Sequence, residues 1–382
     1  MDSTNLNLIK DFCTDFFSEK RSAVLWGYGK LCREILNNFK TDFPDLHIEA
    51  IIDNNSDNKK IVSGIPVVNP SQIDLTNKKI LITTSSYYDE IKADLEKQGM
   101  KENVDFCDIR TFISGASWFK NQKVVLTKLI ISITTACTLN CKHCSMYMPF
   151  HKKNTIMYSF EEVKQQIDLL FKYVDNVMEL VVIGGEPFLN KDLSRIIEYM
   201  QVNYSDHFNT LNIITNGTII PDKQLIETLK YQNVVVNISN YYVNEGYINK
   251  FNQVKSLLEE HQIRISVNNE LEWKDFSFPY EGLHLSDEDA YINMNKCDPY
   301  CRGFNDSKFY FCHFVWSADK AGIFKEDAYD YVDFSSLSID EKEKIVLMNL
   351  CYFNSGYNSL CRECGGFSNL NQKIIKAGQQ SL

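Results

Sequence analysis

The sequence has no block of basic residues, and its net charge is −10, so a nucleic-acid footprint is not expected. It also has no apolar run that would span a bilayer. The longest, Val124 to Ala136, is broken by Lys128 and falls short of the roughly 20 residues a membrane helix needs. The first residues, MDSTNLNLIKDF, lack the basic-then-apolar order of a secretory signal. No internal repeat or low-complexity tract stands out. These absences predict a cytoplasmic protein without a membrane span. What is present suits a globular chain: 382 residues, 44% hydrophobic and 24% charged, enough for two or three domains at roughly 100–200 residues each.

Cysteine is the unusual ingredient, with twelve in the chain. Cytosolic thiols are kept reduced, so clustered cysteines there point to metal rather than disulfides. Cys13, Cys32 and Cys107 are scattered. Cys137, Cys141 and Cys144 form one group, and Cys297, Cys301, Cys312, Cys351, Cys361 and Cys364 crowd the final third.

Three regions are predicted, 1–120, 121–270 and 271–382. In the first, strands at Ala23–Trp26, Ile48–Ile52, 64–68 and 80–83 alternate with helices at about 30–39 and 88–98. Alternation of this kind argues for a small, parallel, doubly wound α/β domain. The second region repeats the alternation. Strands end near Thr134, Ile183, Thr215, Ser239 and Val267, and helices cover about 160–174, 191–202, 222–231 and 248–261. Repeated βα units predict a full or partial barrel, with its chemistry at the C-terminal strand ends. The third region is aromatic-rich, cysteine-rich and short of long helices, and reads as a metal-stapled module.

The central motif is Cys137-Thr-Leu-Asn-Cys141-Lys-His-Cys144, directly after a strand. A [4Fe–4S] cluster usually takes four cysteines. With no fourth nearby in sequence, one iron would stay open. A zinc ribbon would need two separated pairs or histidines. Gly184-Gly185-Glu186-Pro187 closes the next strand, where two glycines permit close approach to the backbone and Glu186 can accept from an ammonium group. Thr215-Asn216-Gly217 and Asn237-Ile-Ser239-Asn240 end the following two strands.

This order of motifs, over residues 126 to 270, resembles the radical S-adenosylmethionine (SAM) superfamily. The resemblance implies a partial (β/α)6 barrel whose Cys137, Cys141 and Cys144 hold a radical-generating [4Fe–4S] cluster. SAM would chelate its open iron and be cleaved to methionine and a 5′-deoxyadenosyl radical. The resemblance places His143, at a position usually aromatic, near the adenine. It places Gly184, Gly185, Glu186 and Pro187 at the SAM amino group, and Thr215, Asn216, Asn237 and Ser239 elsewhere along the same cofactor.

The tail order Cys297, Cys301, hairpin, Cys312, then Cys361-Arg-Glu-Cys364 resembles the SPASM/Twitch extension of that superfamily. It implies a second, auxiliary [4Fe–4S] cluster on Cys312, Cys361, Cys364 and either Cys301 or Cys297. A structural zinc on the same thiols is the alternative, and Ser307 replaces the hairpin's usual glycine. Cys351 reads as a buried thiol. The first region, through Trp26-Gly27-Tyr28-Gly29, Asp53, Ser63-Gly-Ile-Pro-Val and Ile80 to Ser85, resembles small Rossmann-like domains on bacterial polysaccharide enzymes. Gly27 and Gly29 would approach phosphates and Asp53 a ribose hydroxyl.

Together these resemblances imply hydrogen abstraction from a carbinol carbon of a nucleotide-sugar in capsule or lipopolysaccharide synthesis. Oxidation to a ketone comes first; epimerisation and dehydration follow. A reductase or flavodoxin would donate electrons. Tyr241, Tyr242, His284 and His313 are candidate bases. The rivals are a peptide maturase, which would usually carry a winged-helix leader-binding domain not seen here, and a non-catalytic binding or assembly protein.

Overall fold

The computed structural model describes residues 3–18, 22–33, 35–36, 43–54, 60–84, 86–297, 301–352, 356–367 and 371–381. Part of the helix expected at 30–39, Ser85, and residues 298–300 between two of the tail cysteines lie outside the described residues. The chain forms two compact units, 1–123 and 124–382. Among the described residues no helix is long and apolar enough to cross a membrane.

The first unit is a six-stranded sheet in the order β3-β4-β2-β1-β5-β6. Its strands are β1 (Ala23–Trp26), β2 (Ile48–Ile52), β3 (Ile61–Val62), β4 (Ile65–Val68), β5 (Lys79–Ile82) and β6 (Phe106–Asp108). All pairings are parallel except β3 with β4. The four residues of β1 and of β5 are all buried, as the near-continuous apolar runs of parallel strands require. Val24, Trp26, Ile52, Ile80, Ile82 and Phe106 join in one core cluster. Two helices absent from the sequence reading, Ser3–Ser18 and Ile109–Asn121, pack together through an edge-on Phe12–Phe112 contact. The second starts where the Asp108 carboxylate accepts from Arg110 N at 2.8 Å and stops at Gln122 in the left-handed region.

The second unit centres on β7 (Val125–Ser132), β8 (Asn176–Ile183), β9 (Phe208–Thr215), β10 (Val234–Asn240) and β11 (Ile265–Asn269). They lie side by side in chain order, all parallel. Three of the four helices between them are set by side-chain caps: Ser159 with Glu162 before Phe160–Tyr173, Asp222 before Lys223–Thr228, and Asn244 before Glu245–Glu260; Leu193–Tyr204 has none. These five strands are fewer than the six βα repeats expected. Only Glu270 and Leu271 separate β11 from β12 (Glu272–Lys274), too little chain for a parallel crossover. β12 instead pairs antiparallel with β16 (Ile374–Lys376).

The neighbour on the other side of β7 comes from the cysteine-rich region. There β13 (Gly303–Asn305), β14 (Lys308–Tyr310) and β15 (Tyr331–Asp333) extend the same sheet. The hairpin expected between Cys301 and Cys312 is β13–β14. Its two turn residues, Asp306 and Ser307, both have positive φ, 54° and 63°, the twist-matched turn that glycine usually eases. Gly303 faces His313 so closely that an added Cβ would fall 1.9 Å from Nδ1.

Register divides the sheet into two unlike faces. Leu129, Ile131, Leu180, Val182, Leu211, Ile213, Val236 and Ile238 are all buried on one. The other carries Lys128 in register with Glu179, then Asn212, and Asn237 in register with Ser266. Alternation of this kind follows from the two-residue period of a strand.

Candidate functional site

The three-cysteine loop leaves β7 and is laced to the end of β8 by backbone. Gly185 N donates to Thr134 O at 3.0 Å and Glu186 N to Ala136 O at 2.8 Å. A Cβ on Gly184 would lie 2.3 Å from Thr134 O, and one on Gly185 2.3 Å from Ala136 O and 2.6 Å from Cys137 Cβ. Both glycines are therefore required by contact with the loop's own backbone, which cannot yield as a flexible side chain would.

Glu186 is fully buried. Its carboxylate accepts from Phe188 N at 3.0 Å, Thr215 Oγ1 at 2.8 Å and Asn216 N at 2.8 Å. It thus ties the ends of β8 and β9 together, and Pro187 opens the short 3-10 turn that follows. Burial nonetheless pushes the carboxyl up to about 7, because desolvation outweighs the three donors. In this structure the carboxylate acts as a brace between the ends of β8 and β9.

The thiols are partly provided for. Leu139 N donates to Cys137 Sγ at 3.4 Å, Asn216 Nδ2 approaches the same sulfur at 3.6 Å, and Gln380 Nε2 donates to Cys141 Sγ at 3.3 Å. Burial pushes Cys137 and Cys141 each up to about 12, so a thiolate here needs a cation to offset desolvation. Three sulfurs on one loop, each with hydrogen-bond donors, those at Cys144 being backbone N–H groups of Met146, Tyr147 and Met148, fit an iron–sulfur cluster. The donor set leaves the fourth iron position free of a loop ligand.

Around this loop, His143 Nδ1 lies 3.5 Å from Asp275 Oδ1, and its ring sits 5.0 Å from that of Tyr280. Asn237 and Ser239 are buried on the polar face of β10, and the Asn237 amide oxygen has no partner. That face holds a group the motifs did not mark. Lys128 Nζ is 3.2 Å from Glu179 Oε2, and Asn212 Nδ2 donates to Glu179 Oε1 at 2.7 Å. The Asn212 amide oxygen is likewise buried without a partner. The available signal was Lys128 itself, the one charge in a mostly apolar strand.

Of the candidate bases, His313 is buried, stacked on Trp316 and bonded to Ser132 Oγ at 2.9 Å, and burial pushes it down to about 3. It is a neutral core residue. Burial raises Tyr241 well above the usual phenol range. Tyr242 is exposed and donates to Asn269 Oδ1 at 2.8 Å. His284 is exposed and lies 3.0 Å from Glu363 Oε2.

In the tail, Cys297, Cys301, Cys312, Cys361 and Cys364 line one cavity of about 40 Å³, several times the ~10–15 Å³ one water occupies. Phe311, Phe314, Leu360 and Phe367 are among its other walls, together with Asn293 and Asn358. Gly366 N donates to Cys364 Sγ and Phe367 N to Cys297 Sγ, both at 3.3 Å. The choice between Cys297 and Cys301 is thus not made by exclusion, since both line the space. Among the described residues no three His, Cys, Asp or Glu side chains form a single-ion site. Cys351 is half-buried, 3.9 Å from Arg302 Nη2.

In the first unit, Gly27 has φ +110°, and an added Cβ would meet Thr84 at 2.9 Å. Tyr28 N donates to Asp53 Oδ2 at 2.9 Å, so Asp53 already holds the turn. Nothing lies within 4 Å of a Cβ built on Gly29.

Residues 131–261 match the family model of the Radical SAM superfamily, and residues 19–104 match the model described as C2185-like, N-terminal. An uncharacterized protein of Methanocaldococcus jannaschii is 36% identical over 112 residues, 29% of this chain and 37% of that protein. A GTP 3′,8-cyclase of Campylobacter jejuni subsp. doylei is 35% identical over 99 residues, 25% of this chain and 28% of the cyclase. The chain spans well under half the length of these curated relatives. The solved structure of native anSMEcpe with bound AdoMet and Kp18Cys peptide aligns over 66% of this chain and 92% of its own, at 13% identity and TM-score 0.43. The three-cysteine loop lies within the segment that matches the Radical SAM superfamily, and that superfamily implies a [4Fe–4S] cluster and SAM.

Proposed function

We propose that this radical SAM protein modifies a hydroxyl-rich substrate, first a nucleotide-activated sugar, by hydrogen abstraction at a carbinol carbon. The observation that carries the radical chemistry is the loop of Cys137, Cys141 and Cys144 packed against Gly184, Gly185 and the Glu186 brace. When bound, the cluster and SAM supply a 5′-deoxyadenosyl radical. Gly184, Gly185, Thr215, Asn216, Asn237 and Ser239 would line the SAM site, with His143 at its aromatic edge.

The substrate class rests on the polar face. Two buried amide oxygens, of Asn212 and Asn237, lack donors, and an unmet buried acceptor costs about 1–3 kcal/mol. Glu179 adds acceptor capacity, and Lys128 offers a cation. Hydroxyl groups supply the donors, and a sugar oxygen or phosphate answers the lysine. Oxidation of a carbinol removes one hydrogen atom, one proton and one electron. Glu179 is our candidate for the proton, and the five-cysteine cavity, read as an auxiliary-cluster site, for the electron. Gly27, Gly29 and Asp53 would serve the nucleotide in a Rossmann-like first unit; the β4-β2-β1-β5-β6 strand order supports that reading. A flavodoxin-type reductase would donate the initial electron.

The test is anaerobic reconstitution with iron and sulfide, reduction, and addition of SAM with UDP-, GDP- and dTDP-sugars or GTP. Stimulated 5′-deoxyadenosine release by a sugar nucleotide is expected. Loss of two hydrogens from that sugar marks oxidation, loss of water dehydration, and unchanged mass epimerisation. Release that no sugar stimulates redirects the substrate toward peptides, and no release with an intact cluster overturns the enzyme reading.

A further inference from the structure

The segment after β16 returns to the three-cysteine loop. Lys142 N donates to Gln379 O at 2.7 Å, Ser381 N to Asn140 O at 2.6 Å, and Asn140 Nδ2 to Ser381 O at 3.0 Å. Gly378 makes the approach possible: its φ is +67°, and an added Cβ would lie 2.5 Å from Tyr241 Cβ. Within this splice the Gln380 side chain makes three contacts. Its Oε1 accepts from Asn140 N at 2.7 Å, while its Nε2 donates to Gly378 O at 2.7 Å and to Cys141 Sγ at 3.3 Å.

The amide cannot be flipped. Reversal would set Nε2 against the Asn140 N–H and Oε1 against the Gly378 carbonyl, losing both bonds. The network therefore orients an N–H toward the Cys141 sulfur.

We infer that residues 378–381 clamp the cysteine loop, and that Gln380 is a positioning residue that sets the cluster's reduction potential through its hydrogen bond to Cys141. This rests on the radical SAM reading above. A donor at a ligating sulfur disperses negative charge and favours the reduced cluster; hydrogen bonds to sulfur are among the factors that set cluster potentials. The bonds made by Gln379, Ser381 and Asn140 Nδ2 do not use the Gln380 side chain, so the clamp survives substitution there.

Two variants separate the sulfur bond from the rest. Gln380→Glu keeps an oxygen for Asn140 N but has no donor for the sulfur. Gln380→Met keeps length without donor or charge. Gln379→Glu, at an exposed side chain, controls for added charge. Redox titration followed by EPR, scored on the component that changes when SAM is added, isolates the loop's cluster from any other. At a fixed potential the reduced fraction is expected to fall severalfold in both Gln380 variants, more in the glutamate, and to stay unchanged in Gln379→Glu. A tenfold change in the reduced-to-oxidised ratio corresponds to about 59 mV for a one-electron couple. Wild-type titration by Gln380 variants with full cluster content would overturn the inference. Loss of the cluster from both, with folding intact, would reduce Gln380 to a structural brace and overturn the redox role. A wild-type protein with no SAM-responsive signal would instead overturn the radical-enzyme reading.

Discussion

The cysteines of the loop and those of the tail both receive backbone donors but differ in the side chains around them. The loop sulfurs lie among polar donors, beside a buried carboxylate and two strand ends that end in Thr215-Asn216 and Asn237-Ile-Ser239. The tail sulfurs stand around a cavity lined mostly by apolar side chains, with Asn293 and Asn358 among them. Three thiols share a polar edge in the first place; five share a mostly apolar cavity in the second. The same element, sulfur, is thus set in two different dielectric surroundings, and the shell around a site controls its solvent access.

Cys141→Ala should break the first side outright: SAM cleavage is abolished while the first unit keeps its fold by circular dichroism and proteolysis. Cleavage that persists would sink the loop assignment. Next in size, Gly185→Ala forces a methyl against Ala136 O and Cys137 Cβ. Iron bound at the loop should fall several-fold, read as loss of the SAM-responsive EPR component, while tail iron stays. Cys312→Ala sharpens the contrast from the other side. Iron should drop from about eight atoms per chain to about four, with SAM cleavage retained and sugar oxidation lost; a full iron complement would speak against a cluster in the tail.

Glu186 gives a pH-dependent test. Its carboxyl is raised from 4.5 to about 7 by burial. The acid form is the one the fold tolerates, so its stabilising contribution is complete below pH 4.5 and is lost as pH rises through about 7. At 1.36 kcal/mol per unit the loss is roughly 3 kcal/mol. Urea midpoints of the unliganded protein at pH 5 and pH 8 should differ less in Glu186→Gln than in wild type; equal slopes would refute the burial argument. The smallest effect is expected at Ser307→Gly. Relief of a left-handed serine should stabilise the β13–β14 hairpin by about 1 kcal/mol, raising the thermal midpoint without altering SAM cleavage.

Much of the site was legible because its parts are local. Cys137, Cys141 and Cys144 fall on one loop, Gly184-Gly185-Glu186 at the next strand end, and each strand announces itself as a short apolar run. The tail hairpin was legible from its turn. Other features depend on distant pairings. Nothing around Gln380 signals a partner 239 residues earlier. The motif marks Glu186, but its bonds to Thr215 and Asn216, 29 and 30 residues further on, emerge only in the fold. The turn from β11 into β12 left too little chain for the sixth repeat, and two helices of the first unit escaped because their burial depends on each other.

The clamp also has a consequence for biogenesis. Cys137 to Cys144 leave the ribosome well before Gln380, since domains form from the N-terminal side during synthesis. Long-range contacts form late because the closure cost comes first. The contact of Gln380 with Cys141 therefore cannot form until the 239 residues that follow Cys141 have been made.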